Sequence, residues 1–229
     1  MRIVSYRHLI VLFLLFIFSG GLFAQVDSIP SSEWISLHKD SLRSELLNNK
    51  RVHGDFEQAI LAALMYYPTL TDAHIIFRER KLATTMAARP KANSIFKKTE
   101  NRKYIILINS RQNKLKAPLL RDIPFEARVG IIGHELAHIV DYNRKSFIQI
   151  IGNGIAYITS NKFKRNLEHK IDRIAINKGL GEGLYQFRLF VEEEANTTEK
   201  YRRFKDNIYL SSTDISNLVK SINNLAIEE

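Results

Sequence analysis

His134, Glu135 and His138 stand in the run "IIGHELAHIVDYN", residues 131 to 143. Two imidazoles four residues apart on a helix lie one above the other and can face a single ion. Glu135 lies about 100° further round the same helix, where it can reach a metal-bound water without ligating the metal. That is the mechanical logic of the pattern H-E-x-x-H: two zinc ligands and a general base. The chain holds 7 His among 229 residues, and chance would produce the pattern only roughly 0.01 times, so it carries information. The alternative is an amphipathic helix with two core histidines.

A catalytic zinc site needs a third protein ligand. A metzincin-like His six residues after His138 is absent, because Arg144 stands there and Asp141 replaces the preceding Gly. Asp141 itself is one turn beyond His138, but closing a tetrahedron from one helix is awkward, so it suits support of the ligands or of the helix end. Downstream, "NLEHKIDRIAI" places Glu168 and Asp172 four apart on one face. Glu168 is the expected third ligand and His169 its competitor. Asp172 is expected to accept a proton from the outer nitrogen of a ligating histidine and so fix its tautomer. The competing reading is a charged helix face.

The pair His134-Glu135-x-x-His138 and Glu168-x-x-x-Asp172 resembles the gluzincin zinc metallopeptidases, the class that includes thermolysin, and the compact size resembles its small single-domain members. The resemblance spans roughly residues 67 to 179. It implies Zn2+ as cofactor, a peptide or protein substrate, and hydrolysis by zinc-activated water with Glu135 as base. It also implies that the strand before the active-site helix pairs with substrate, which makes Asn109 in "KYIILINS" a candidate contact. An oxyanion stabiliser is expected from Tyr209, Tyr201, Tyr157 or His169, none of which a motif singles out. A catalytically inactive zinc-binding envelope scaffold is the alternative function, although Glu135 would be superfluous in it.

The elements that must position these residues are readable in outline. A helix is expected from Ser31 to Lys50, capped by Ser31 or Ser32, and a second from Asp55 to the stop at Pro68. Three strands are expected at His74 to Arg80, Leu82 to Arg89 and Lys103 to Ser110. The motif helix should start near Asp122 as cap with Pro124 in its first turn, and Val129, Ile132, Leu136 and Val140 should form its apolar face. Helical pattern continues from Ser146 to Lys178, with a kink expected at "GNG", Gly152 to Gly154, and a break at "KGLGEG". Helices should follow at Leu184 to Phe204 and Ser212 to Ala226. The expected class is α+β and zincin-like: a small, mostly antiparallel sheet, an active-site helix and a mainly helical C-terminal half.

The first 24 residues have Arg2 and Arg7, an apolar run from Leu9 to Phe18, and a small residue at Ala24. That pattern is a signal peptide, with export to a periplasm or the medium and an uncleaved anchor as the alternative. An N-terminal helical segment would occupy 25–66 and the zincin-like domain 67–229. Within the first, Gln25 to Gly54 is expected to pack on the domain rather than to serve as a pro-region. The chain has no cysteine, so neither disulfides nor a lipid-modified cysteine stabilise or anchor it. The formal charge is +10. Export argues against nucleic acid as partner and leaves weak attraction to anionic envelope surfaces.

Overall fold

The computed structural model describes residues 28–227 apart from 53 and 113. The expected signal peptide therefore lies outside the described residues. Among these, no helix is long and apolar enough to cross a membrane.

The chain opens with helices α1 (Ser32–Leu37) and α2 (Lys39–Leu46), a two-residue strand β1 (Lys50–Arg51) and helix α3 (Glu57–Leu64). Ser31 caps α1 by accepting from the Trp34 amide at 3.2 Å. The single helix expected over 31–50 is divided at His38, whose ring stacks on Trp34 and whose Nδ1 lies 2.8 Å from the Trp34 carbonyl. Ile35, Leu42 and Leu46 are buried in the common core, so the described part of the expected Gln25 to Gly54 segment contributes packing. Asp55 does not cap α3; it sits in a short 3-10 turn, and Phe56 occupies the cap position.

Strands β2 (His74–Arg80), β3 (Met86–Pro90) and β4 (Lys103–Asn109) join β1 in one sheet of order β1-β2-β4-β3. The pairs β1–β2 and β2–β4 are parallel, and only β3–β4 is antiparallel. The sheet is thus mixed, which corrects the mostly antiparallel expectation. The physical reason lies in β4. The short link between β2 and β3 suggests a hairpin, since consecutive strands usually pair. Instead the apolar β4 inserts between them and buries Ile106 and Ile108. Strand β3 also starts later than Leu82, because the link is tied down by Asn109: its side-chain oxygen accepts from the Leu82 amide at 3.0 Å and its own amide donates to the Thr85 carbonyl at 2.9 Å.

Helix α4 (Phe125–Asn143) carries the motif. Pro124 takes the cap position and no side chain caps it; Asp122 belongs to the preceding 3-10 turn. The expected apolar face exists, but burial extends around nearly the whole helix from Ala127 to Asp141. A helix apolar on all sides belongs in a protein interior. Helix α4 accordingly packs against α3, β3, α6 (Asn161–Ala175) and α7 (Gly181–Leu189). Its approach to α7 is made by glycines: a Cβ on Gly130 would fall 2.1 Å from the Gly183 carbonyl carbon.

Helix α5 (Phe147–Thr159) opens with a capping box in which Ser146 and Gln149 satisfy each other's backbone amides. It runs unbroken through Gly152 and Gly154, against the expected kink. The chain turns at Ser160 instead, in extended conformation, and that side chain caps α6 by accepting from the Phe163 amide at 3.2 Å. The break after α6 falls at Gly179, whose φ of 95° suits glycine. The helix expected over 184–204 is interrupted by a π turn at Phe190–Glu194, and α8 (Glu199–Ile208) restarts with Thr198 as cap. Helix α9 (Ser212–Ile227) closes the described chain on α7.

Candidate metal centre

Two helices supply the group. Helix α4 presents His134 and His138 side by side, with ring centroids 4.9 Å apart. Helix α6 crosses them and presents Glu168 and Asp172 from successive turns. Oε2 of Glu168 lies 3.1 Å from Nε2 of His134 and 3.5 Å from Nε2 of His138. The three ligand atoms lie within 4.8 Å of one another, all three side chains are buried, and the group could hold a metal ion.

Surrounding residues fix these ligands. Oδ1 of Asp172 lies 2.8 Å from Nδ1 of His134. Oδ2 of Asp172 accepts from the Leu210 amide at 3.2 Å and faces Arg188 at 3.7 Å. The Tyr157 hydroxyl donates to Oε1 of Glu168 at 2.6 Å, which leaves Oε2 directed at the histidines. Tyr142 stacks on His138 with centroids 6.2 Å apart. Asp141 is buried but takes no part in the group. It binds Lys145 just past the end of α4 and accepts from Lys170 on α6 at 2.8 Å, the latter tying the two helices together.

The electrostatics match a cation-binding pocket. Burial opposes charge on His134, yet Asp172 and Glu168 flank both ring nitrogens and push it up to about 10. The two carboxylates thus create a site that favours positive charge beside Nε2 of His134. Burial likewise opposes ionisation of Glu168, but His138 and His134 hold its carboxyl well below the usual range. Glu135 behaves differently. Burial dominates and pushes its carboxyl up, with the histidines and the Ala88 amide pulling the other way. Its Oε2 is buried with no hydrogen-bond partner.

Glu135, His134, His138 and Glu168 line a cleft of about 430 Å³, roofed by Ala87 to Pro90 of β3 and walled by Tyr142, Tyr157 and Tyr209. Of the four candidates for an oxyanion stabiliser, Tyr157 and Tyr209 reach this cleft. The Tyr157 hydroxyl is engaged by Glu168. The Tyr209 ring lies 5.8 Å from that of His134, beneath Lys205 Nζ at 3.7 Å and Arg188 Cζ at 4.6 Å. Tyr201 is buried elsewhere with its hydroxyl 3.4 Å from that of Thr85, and His169 does not line the cleft. Asn109, the expected substrate contact, lies on β4, which is paired on both sides, and its buried side chain accepts from the Leu82 amide in the β2–β3 link. The strand that borders the cleft is the edge strand β3.

Arg188 and Lys205 were not among the residues singled out by spacing. Both are buried, and burial together with Arg188 pushes the Lys205 amine down to about 7. Each sits on an amphipathic helix where a cation ordinarily faces solvent, so only the tertiary packing distinguishes them. No family model, no curated protein and no solved structure matches this chain, and the chemistry of the centre follows from its own residues.

Proposed function

We propose that the protein is a zinc-dependent metallopeptidase of compact gluzincin type, with zincin-like architecture around α4. The observation that carries this reading is Glu135: a buried carboxylate that lines the cleft beside the His134–His138–Glu168 group and whose Oε2 has no hydrogen-bond partner. A purely structural metal site has no use for such a base. The donor set of two imidazoles and one carboxylate is that of a catalytic zinc with an open position. Ligand atoms around a tetrahedral zinc stand about 3.3 Å apart, and the spacings of 3.1 and 3.5 Å in this group bracket that value.

Zinc held by Nε2 of His134, Nε2 of His138 and Oε2 of Glu168 would supply a Lewis acid that acidifies water and polarises a peptide carbonyl. Asp172 accepts the Nδ1 proton of His134 and so leaves Nε2 free to ligate. Tyr157 orients Glu168 by its hydrogen bond to Oε1. Glu135 takes a proton from the attacking water on Oε2 and returns it to the amine nitrogen as the C–N bond breaks. Its raised affinity for protons brings it closer to the value a base needs near neutral pH. Tyr209 lines the cleft with its ring 5.8 Å from that of His134, and its hydroxyl would donate to the oxyanion. The open edge of β3 offers backbone groups to an extended peptide, which would lie along the cleft as an added strand.

The test is Glu135→Gln. The variant is expected to bind one equivalent of zinc with wild-type affinity and to lose peptide cleavage by at least about a hundredfold. Cleavage at the wild-type rate would sink the reading, and retained zinc with no cleavage by either protein would favour an inactive zinc-binding scaffold.

A further inference from the structure

Helix α5 packs only one side against the protein. Ile150 and Tyr157 face inward, towards the cleft. Ile148, Ile151, Ile155 and Ile158 recur at three and four residues and project outward as one stripe. They are 68%, 42%, 60% and 83% exposed. The stripe is continued by two exposed aromatic rings, Phe147 and Phe96, whose centroids are 5.4 Å apart. Arg102 holds the Phe96 loop in place by donating to the carbonyls of Lys97, Tyr142 and Lys145. Solvent-facing helices normally turn polar side chains outward, and a contiguous apolar stripe of this kind marks a surface that is covered in use.

The charge around the stripe says what covers it. No acidic residue occurs between Asp141 and Glu168, while Arg144, Lys162, Lys164 and Arg165 do, Lys145 being turned inward to Asp141. None occurs between Glu79 and Glu100 either, and that stretch places exposed Lys97 and Lys98 beside Phe96. An apolar helix face rimmed by cations and lacking anions fits the boundary between the headgroups and acyl chains of an anionic bilayer. A water-soluble partner protein would equally cover isoleucine, but would not require an acid-free rim on both neighbouring segments.

We propose that α5 is an interfacial helix that docks the protein on an anionic lipid bilayer, with the isoleucine stripe in the acyl boundary and the basic rim at the headgroups. Because α5 also walls the metal-site cleft, docking sets the cleft at the membrane surface. A polypeptide reaching the edge of β3 would then be one held at or emerging from that bilayer. The docking itself does not depend on the reaction proposed for the cleft.

The chain has no cysteine, so one can be introduced for local labelling. The full chain carrying Ile155→Cys, labelled with an environment-sensitive fluorophore, is mixed with vesicles of phosphatidylglycerol and phosphatidylcholine, or of phosphatidylcholine alone. The expected result is a blue shift and quenching by lipid-borne nitroxide on the anionic vesicles, with apparent affinity falling as salt is raised. Affinity should be at least about tenfold weaker on neutral vesicles. Adding Ile148→Asp and Ile151→Asp should keep the label in water while circular dichroism and zinc content stay unchanged. The same label at Glu45→Cys, on α2, should not respond. Because the readout is local, attachment through residues 1–24 cannot mimic it. Four results would each overturn the proposal: a label at 155 that stays water-like on anionic vesicles, an equal response at 45, a response indifferent to lipid charge, or a blue shift without lipid that grows with protein concentration. The last would assign the stripe to a contact between two copies. Docking without any peptide cleavage would leave this proposal standing and remove only the one for the cleft.

Discussion

Nδ1 of His134 and Oδ1 of Asp172 meet at 2.8 Å although 38 residues separate them. One carboxylate on α6 thereby sets the ring orientation of a ligand on α4. Replacing Asp172 by Asn keeps the size and an acceptor for the Leu210 amide but removes the charge. Zinc affinity should fall about 10- to 100-fold, measured by competition with a chromophoric chelator. Unchanged affinity would show that α4 alone orients His134.

With zinc held as proposed, removing it should lower stability, because only the folded chain brings His134, His138 and Glu168 together. At free zinc a hundredfold above its Kd, linkage predicts about 2.7 kcal/mol of added stability. Thermal melts with chelator and with zinc should differ for wild type and for His169→Ala. They should coincide for His138→Ala and Glu168→Ala. A persistent zinc shift in Glu168→Ala would remove Glu168 from the ligand set.

Tyr209→Phe should retain the ring beneath Lys205 and Arg188 and lose only the hydroxyl. With the role assigned to it, kcat falls about 10²- to 10³-fold while KM and zinc content hold. Tyr201→Phe, in which the hydroxyl lost is outside the cleft, should change kcat little. Equal losses in the two variants would point to packing as the role of both tyrosines.

Two glycines should respond to alanine with opposite sign. At Gly130 the new Cβ would meet the backbone of Gly183, which cannot yield as a side chain would, so Gly130→Ala should cost about 1–3 kcal/mol. At Gly152 nothing lies within 4 Å and the position is inside α5, so Gly152→Ala should add about 0.5–1 kcal/mol. Chemical denaturation of both variants checks the pair.

The proximity of His134 to His138, and of Glu168 to Asp172, was legible because helical spacing of four converts directly into a shared face. That α6 returns to α4 was also legible, but not where the chain turns. Gly152 and Gly154 look like a kink, yet the backbone hydrogen bonds of α5 carry through them and Ser160 makes the turn. The place of β4 was hidden for a different reason. Local pattern marks it as a strand, but its insertion between β2 and β3 is a non-local choice made by the burial of Ile106 and Ile108. That choice moved the open edge from Asn109 to Met86–Pro90. Arg188 and Lys205 were invisible as site residues, since nothing in the order of amino acids says that α7 and α8 turn these cations inward.

Strand β3 has a consequence for the protein in a crowded compartment. An unpaired edge beside an apolar cleft is a template on which another copy of the chain could extend the sheet. The strand is only five residues long, ends in Pro90, and carries Arg89 with Lys91 just beyond it. Proline withholds the next amide, and like charges on two such edges repel. The same short, basic strand can therefore remain open to a single extended polypeptide and still resist propagation into fibrils.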